Sequence, residues 1–144
     1  MTRVQPAEIA AAMPYTARLG ITVDEAAPER VTGCLAWEAE LCTVDNALHG
    51  GALMSLADTV GAACAYLNLP PGAGTSTVES KTNFFRAARA GTVRAMSRPL
   101  HVGRRFVVVQ TDLHDDENRL LAQTTQTQAV LPSGGQPPPR STQV

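Results

Sequence analysis

The pattern of apolar and polar positions changes twice within the first forty residues. Residues 6–13 predict a short helix that ends at Pro14. From about residue 21 to residue 40, apolar and polar side chains alternate at every second position, which is typical of half-buried strands. The Ala27-Pro28 pair interrupts this alternation, so we predict a hairpin of two strands.

A long apolar segment in the middle of the chain predicts a buried helix. Residues 52–69 contain one charged residue, Asp58. Large apolar residues recur at helical spacing on one face, and small residues lie on the face of Asp58. The first face is Leu53, Leu56, Val60, Cys64 and Leu67, and the second is Met54, Asp58, Gly61, Ala62 and Ala65. A helix that is apolar almost all round is buried, so we expect a second subunit on the side that a sheet leaves open.

The second half of the chain predicts four consecutive strands. They are the runs Ser76–Phe85, Thr92–His101, Arg105–Leu113 and Arg119–Leu131, which are rich in Thr, Val and Phe and are separated by turn signals. Short connections favour antiparallel pairing, and the whole order predicts an α+β fold in which a curved antiparallel sheet wraps one helix. We predict a single domain over residues 1–131 and a disordered Pro/Gly-rich tail over residues 132–144.

Composition agrees with one domain but adds a charge asymmetry. The chain has 144 residues, of which 44% are hydrophobic, and its net charge is −1. Residues 1–80 carry three arginines against nine acidic residues, whereas residues 81–105 carry seven basic residues and no acid. The small total is therefore a cancellation, and the basic segment calls for an anionic partner or for ion pairs.

Several classes of protein are disfavoured by the sequence. The first twenty residues lack the continuous apolar core of a signal peptide, and prolines and glycines interrupt the uncharged residues 59–78, so we expect neither secretion nor a membrane span. Three cysteines without paired spacing favour a reduced, cytoplasmic protein. A zinc site that combines these cysteines with His49 has no supporting motif, and we predict neither a metal nor a cofactor.

The chemistry of the predicted helix depends on its start and on its one carboxylate. His49-Gly50-Gly51 precedes the helix, where free N–H groups and the positive end of the dipole can receive an oxyanion. Asp58 is either a locally hydrogen-bonded or solvent-reaching carboxylate, or a desolvated base or nucleophile. A carbonyl-polarising group and a carboxylate on one element favour the second interpretation, because together they serve acyl transfer.

These residues resemble those of a known family. The segments NALHGGALMSLADTVGAACA, TVESKTNFFRAARAG and HVGRRFVVVQTDLHDDENRLLAQTTQT resemble the hotdog-fold acyl-CoA thioesterases, specifically the phenylacetate-pathway type, over roughly residues 15–131. The family signature is HGG followed by a carboxylate nine positions after the histidine, which here pairs His49 with Asp58.

The resemblance implies a hotdog fold and a role for each matching residue. The Gly50 N–H would bind the thioester oxygen, with His49 and Gly51 beside it, and Asp58 would act as nucleophile or general base. Thr77 matches a position that orients the attacking water in relatives. The site would lie at a homodimer interface, with Gly50 and Asp58 from opposite subunits, and such dimers commonly pair into tetramers.

One departure from the family leaves an alternative open. Relatives often carry Asn or Gln six residues before the histidine, whereas this chain has Thr43 there and Asn46 three residues before it. We assign the role to Asn46. Loss of that role would favour a non-catalytic acyl-CoA or small-aromatic binding protein that uses the same pocket. A structural dimer, in which Asp58 only bonds across the interface, is a third interpretation.

The basic segment suits coenzyme A, whose phosphates match the bidentate donors of arginine. Arg86, Arg89, Arg104 and Arg105 flank predicted loops and are the candidates, although ion pairs with the acidic half of the chain explain any single arginine as well. Aromatic residues make up 4% of the chain, which disfavours nucleic-acid binding. The sequence thus predicts hydrolysis of a small, medium-chain or aromatic acyl-CoA, and the small residues near Asp58 suggest room for the acyl group.

Overall fold

A six-stranded antiparallel sheet wraps one long helix in the computed structural model, which describes residues 4–134. The helices are α1 (Pro6–Ala11), α2 (Pro14–Leu19) and α3 (Gly50–Leu67). The strands are β1 (Thr22–Ala27), β2 (Arg30–Ala36), β3 (Gly74–Phe84), β4 (Thr92–Val102), β5 (Phe106–His114) and β6 (Leu120–Leu131). Single turns of 3-10 helix cover Ala39–Leu41 and Val44–Asn46. The predicted α+β class and the hotdog arrangement are confirmed.

The strand order is β1-β2-β4-β5-β6-β3, and every neighbouring pair is antiparallel. Strand β3 does not pair with β4, its successor in sequence, but crosses to the far edge and pairs with β6. The register places Thr77 opposite Gln128 and Ser80 opposite Gln126. Within residues 4–134 the second edge of β3 has no partner strand, so an eleven-residue strand offers its backbone groups to another chain.

Helix α3 supplies the centre of the hydrophobic core. Its buried residues, which include Leu53, Leu56, Val60 and Cys64, pack against the sheet as the helical spacing predicts. On the second predicted face, which carries Asp58, Gly61 and Ala65 are buried as well, so only a narrow stripe of the helix is exposed. The exposed stripe repeats every four residues through Met54, Asp58, Ala62 and Tyr66, with Ala62 half-buried and Tyr66 52% exposed.

Two local predictions were wrong in their boundaries. Pro14 does end the first helix, but it also occupies the first turn of α2, a position where its fixed φ and missing N–H cost nothing. Strand β2 ends at Ala36 rather than near residue 40. The apolar–polar alternation continues past Ala36 in the sequence, but the strand does not, because residues 39–41 form a 3-10 turn. The N–H groups of Leu41 and Cys42 donate to the carbonyls of Glu38 and Ala39 instead of to a neighbouring strand.

The predicted tail falls mostly outside the described residues, which end at 134, and the domain boundary stays a prediction. Among residues 4–134, no helix combines the length and hydropathy that crossing a membrane requires. The same part of the chain contains no group of three or more His, Cys, Asp or Glu side chains arranged to hold a metal ion.

Candidate active site

The start of α3 presents one free backbone donor. His49 caps the helix, and its Nδ1 atom accepts a hydrogen bond of 2.8 Å from the Gly51 N–H. Among the described residues, the Gly50 N–H has no acceptor. It lies at the positive end of an 18-residue helix, where an oxyanion is stabilised by the helix dipole. The structure thus divides the three residues of the motif into a cap, a free donor and an occupied donor.

Both glycines of this motif lie against a ring. A Cβ atom added at Gly50 would lie 3.3 Å from Cζ of Phe84, the last residue of β3. One added at Gly51 would lie 3.0 Å from Nδ1 of His49. Glycine therefore lets the helix start approach β3 and lets the His49 ring fold back over the first turn.

The loop before α3 is held by backbone hydrogen bonds. Leu48 N–H donates to Ala88 O at 2.8 Å, and His49 N–H donates to Leu41 O at 2.8 Å. Asn46 adopts a left-handed conformation with φ of 54°, and its carbonyl accepts from Trp37 Nε1 at 2.9 Å. Its exposed side chain makes no hydrogen bond to Gly50, Asp58 or any other described residue, so its role stays a prediction.

Asp58 lies two turns further along α3 and is exposed rather than buried in the single chain. The expectation of a desolvated carboxylate is therefore wrong for one subunit, because Asp58 lies on the stripe of α3 that the chain's own sheet leaves uncovered. The Oδ1 atom of Asp58 accepts a hydrogen bond from Nε2 of Gln126 on β6. No other hydrogen bond or ion pair reaches Asp58 from residues 4–134.

Gln126 explains the glycine at position 61. Gln126 is fully buried, and its Oε1 atom occupies the place that a Cβ atom of residue 61 would need. Only a glycine, three residues after Asp58 on the same helix, leaves space for this side chain to pass from the sheet to the carboxylate. The small size of Gly61 suggested space for an acyl group beside Asp58. The Gln126 side chain fills that space instead.

A shallow cleft of about 370 Å³ opens beside Asp58. Its lining residues come from the start of α2, from α3 and from β3, and they are Met13, Tyr15, Thr16, Met54, Ser55, Asp58, Thr59 and Ser80. The Tyr15 hydroxyl and Ser55 Oγ are 3.0 Å apart, and Ser55 also donates to the Gly51 carbonyl at 2.8 Å. Sequence reasoning missed Tyr15 because it placed no element after Pro14.

Thr77 lies on the exposed part of β3 and does not line this cleft, where Ser80 lies instead. Its Oγ1 atom accepts a hydrogen bond of 2.7 Å from Gln128 Nε2, and Gln128 Oε1 accepts one of 3.1 Å from Thr75. The Thr77 hydroxyl proton is therefore free to be donated elsewhere. Within one chain the structure does not bring Thr77 and Asp58 together.

The four candidate arginines fall at opposite ends of the sheet. Arg86 and Arg89 lie in the β3–β4 connection, and Arg104 and Arg105 lie in the β4–β5 turn. The eleven residues of β4 between them span roughly 35 Å, so one chain cannot aim all four at one phosphate group.

Arg86 and Arg89 line a cleft of about 400 Å³ together with Asp115, Asp116 and Glu117. Hydrogen bonds from the backbone and side chain of Arg119 lower the pKa of Asp115, despite partial desolvation. That carboxylate therefore carries its charge at neutral pH, and an incoming phosphate would meet acids as well as arginines.

A comparison with known families identifies the family to which this fold belongs. The family model of the thioesterase superfamily matches residues 45–122, more than half of the chain. The chain belongs to the thioesterase superfamily. The matched residues run from the loop before α3 to the first residues of β6, so they contain Gly50, Asp58 and Thr77.

Individual members of the superfamily are similar to this chain at moderate identity. The 1,4-dihydroxy-2-naphthoyl-CoA hydrolase of Escherichia coli is 37% identical over 84 residues, which are 58% of this chain and 62% of that enzyme. The ComA2 protein of Bacillus subtilis is 31% identical over 115 residues, 78% of this chain and 90% of its own length. A crystal structure of a variant thioesterase from Pseudomonas aeruginosa has a TM-score of 0.85 at 26% identity, covering 92% of this chain and 96% of that one.

These comparisons confirm the recognised hotdog thioesterase family and the enzyme class of thioester hydrolase. The phenylacetate-pathway subtype and the roles of the individual residues stay predictions. The structure does bring His49, Gly50 and Gly51 together at the helix start, and it adds Gln126 to Asp58.

Proposed function

We propose that this protein is an acyl-CoA thioesterase that hydrolyses a small, medium-chain or aromatic acyl-CoA to the free acid and CoA. The observation that carries the proposal is the pairing, on one helix, of a free N–H at Gly50 with a carboxylate at Asp58 that is open to a cleft. A donor at a helix start stabilises developing oxyanion charge, and a held carboxylate activates water or attacks directly. Membership of the thioesterase superfamily gives this pair a thioester as its substrate.

The distance along α3 supports a site shared between two subunits. Asp58 lies eight positions after Gly50, which corresponds to a rise of about 12 Å along the helix. A thioester carbonyl is too small for its oxygen to lie on Gly50 while its carbon meets Asp58 of the same chain. One subunit would therefore supply the oxyanion donor and the other the carboxylate.

The exposed surface around Asp58 favours a second copy of the chain as the covering partner. The unpaired edge of β3 lies beside the exposed stripe of α3, and this region also exposes Val78 and Phe84, at 60% and 49%. Pairing of two such surfaces about a two-fold axis would cover apolar side chains and satisfy the strand edge. Association of dimers into tetramers stays a prediction.

The proposed reaction uses the protein's own groups throughout. The Gly50 N–H receives the carbonyl oxygen as it becomes negative, with the helix dipole behind it. Either the Asp58 carboxylate takes a proton from water as the water oxygen attacks the carbon, or it attacks the carbon itself and water then cleaves the resulting anhydride. In both routes the C–S bond breaks and the sulfur leaves as the thiolate of CoA, which takes up the proton that the water loses. The water oxygen ends on the acid, in the second route through attack of water on the acyl carbon of the anhydride.

We assign the two ends of the substrate to different parts of the chain. The cleft beside Asp58, with Met13, Tyr15 and Met54 on its walls, suits an apolar acyl group. Arg86 and Arg89 follow β3, whose last residue contacts Gly50, so they are the candidates for the CoA phosphates at the donor end. Arg104 and Arg105, at the far end of β4, would need a different subunit to reach the same substrate.

A panel of acyl-CoA substrates tests the activity itself. We expect the purified protein to release CoA thiol from at least one short, medium-chain or aromatic acyl-CoA, with saturation kinetics, and to leave the matching oxygen ester of the acid largely intact. Binding should be measured in parallel by calorimetry with a non-hydrolysable thioether analogue. Saturable binding without turnover on any member of the panel would favour the non-catalytic binding protein, for which the threonine at position 43 is the supporting observation.

A further inference from the structure

Gln126 is a buried amide that reaches from the sheet to the helix. It lies in the middle of β6 with 0% of its surface exposed, and its β-ladder neighbours are Ser80 on β3 and Val109 on β5. Its Nε2 atom donates to Asp58 Oδ1. An ionised carboxylate only accepts hydrogen bonds, so an amide donor at this position matches the form of Asp58 that abstracts a proton or attacks a carbonyl.

The chain accepts a structural penalty to place this amide. Residue 61 must be a glycine to leave space for Gln126, although glycine in the middle of α3 is unfavourable for helix stability. The Oε1 atom of Gln126 and the hydroxyl of Thr111 are both buried without a hydrogen-bond partner among the described residues. Buried polar atoms without partners are rare, and a leucine or methionine at position 126 would avoid the one on Gln126. Packing alone therefore does not explain a glutamine here.

We propose that Gln126 is a positioning residue for Asp58, made possible by Gly61, and this inference rests on the proposed function of Asp58. The hydrogen bond fixes Oδ1 towards the sheet and leaves Oδ2 available to the cleft. A carboxylate on an exposed helix face would otherwise sample several rotamers. Holding one of them places the reactive oxygen in a defined direction, and displacement of such a group by about 1 Å can lower a rate by about a hundredfold.

Replacement of Gln126 by methionine tests the inference most simply, because methionine keeps the length and loses the donor. We expect kcat to fall by about 10- to 100-fold, with KM changed by less than about threefold. Thr124→Val is the matched control. Thr124 is also buried on the same face of β6, but its hydroxyl is 2.8 Å from that of Thr82 and makes no hydrogen bond to Asp58. Its substitution should change kcat by less than about twofold.

Gln126→Glu supplies a readout that a purely structural role would not move. It places a second carboxyl group in hydrogen-bond contact with Asp58, and two such groups cannot both ionise at neutral pH. The rising limb of kcat/KM against pH should therefore move to higher pH. Tyr15 is the other titratable residue that lines the cleft, and the neighbours from β3 and β5, Ser80 and Val109, do not titrate. A profile that superimposes on that of the wild type would overturn the inference.

The same assays separate this inference from the proposed function. Full activity of Gln126→Met, together with loss of activity in Asp58→Asn, would overturn the positioning role and leave the thioesterase mechanism standing. Full activity of Asp58→Asn would overturn both. If the methionine variant does not fold, the pH profile of the glutamate variant decides, since it preserves the size and polarity of the buried side chain.

Discussion

Replacing Asp58 by asparagine lowers kcat/KM for acyl-CoA hydrolysis by about 10³-fold or more, because it removes the only carboxylate that residues 4–134 contribute to the cleft beside α3. The asparagine side chain keeps an oxygen that can accept the hydrogen bond from Gln126, and position 58 is exposed in the single chain. The fold should therefore be unchanged. Initial rates of thiol release, measured beside circular dichroism and the melting temperature, separate loss of chemistry from loss of structure.

Asp112→Asn is a control that matches this substitution closely. Asp112 also accepts hydrogen bonds from glutamine side chains, from Gln123 at 2.8 Å and Gln110 at 3.3 Å. It lies on β5 on the face of the sheet that points away from α3, so it has no path to the cleft. We expect its activity to stay within about twofold of the wild type. An Asp58→Asn variant that keeps activity within tenfold of the wild type would contradict the assigned role.

The second large effect is expected from removing a single backbone hydrogen. Gly50→Pro deletes the free N–H at the first residue of α3, the helix position that best tolerates proline. His49 already has φ of −59° and ψ of 137°, which suits a residue before proline. Loss of one oxyanion donor typically lowers kcat by about 10²- to 10³-fold, and we expect a decrease of that size.

Gly50→Ala keeps the N–H and controls for the added bulk. Its Cβ atom would lie 3.3 Å from the Phe84 ring, so a small adjustment is needed and activity should stay within about tenfold of the wild type. Steady-state kinetics of the two variants distinguish the donor from the space around it. Equal loss in both would show that Phe84 contact, and not the N–H, limits activity at this position.

The fold was predictable because its periodicities are strong. Helix α3 and the hairpin β1–β2 follow from spacing and turn residues, and so do the four later strands to within two residues at each end. The position of β3 beside β6 was not predictable, since short connections between successive strands also fit a simple meander. The crossing leaves β3 at the edge, and the proposed dimer depends on that edge.

The site was predictable only where one short motif carries it. His49, Gly50 and Asp58 lie within ten residues on one helix, so spacing alone places them together. Gln126 is 68 positions after Asp58, in the segment TTQTQ, where polar residues occupy both faces of the strand. Alternation cannot then tell the buried face from the exposed one, and no signal in the sequence links the glutamine to the carboxylate.

The exposure of Asp58 shows a further limit of predicting a site from sequence. A carboxylate in an apolar helix predicts burial, but burial of α3 has two sources, its own sheet and a partner subunit. The single chain supplies only the first, so Asp58 and Tyr66 lie on the uncovered side. The arginines show the same limit. Residues 86 and 105 are close in sequence, but the length of β4 separates them in the fold.

The proposed mechanism requires that each active site uses Gly50 of one subunit and Asp58 of the other. Its most direct test compares two purified heterodimers that carry the same two substitutions, isolated with different affinity tags on the two chains. In the first, one chain carries Gly50→Pro and the other Asp58→Asn. In the second, one chain carries both substitutions and the other is wild type.

A shared site gives the first heterodimer one intact centre and the second none. We therefore predict about half of the wild-type kcat for the first and only background activity for the second. The rates of acyl-CoA hydrolysis by the two heterodimers, measured at equal concentration, decide between the arrangements. The reverse result, an inactive first heterodimer and a half-active second one, would mean that each chain builds its own site and would contradict a site shared between subunits.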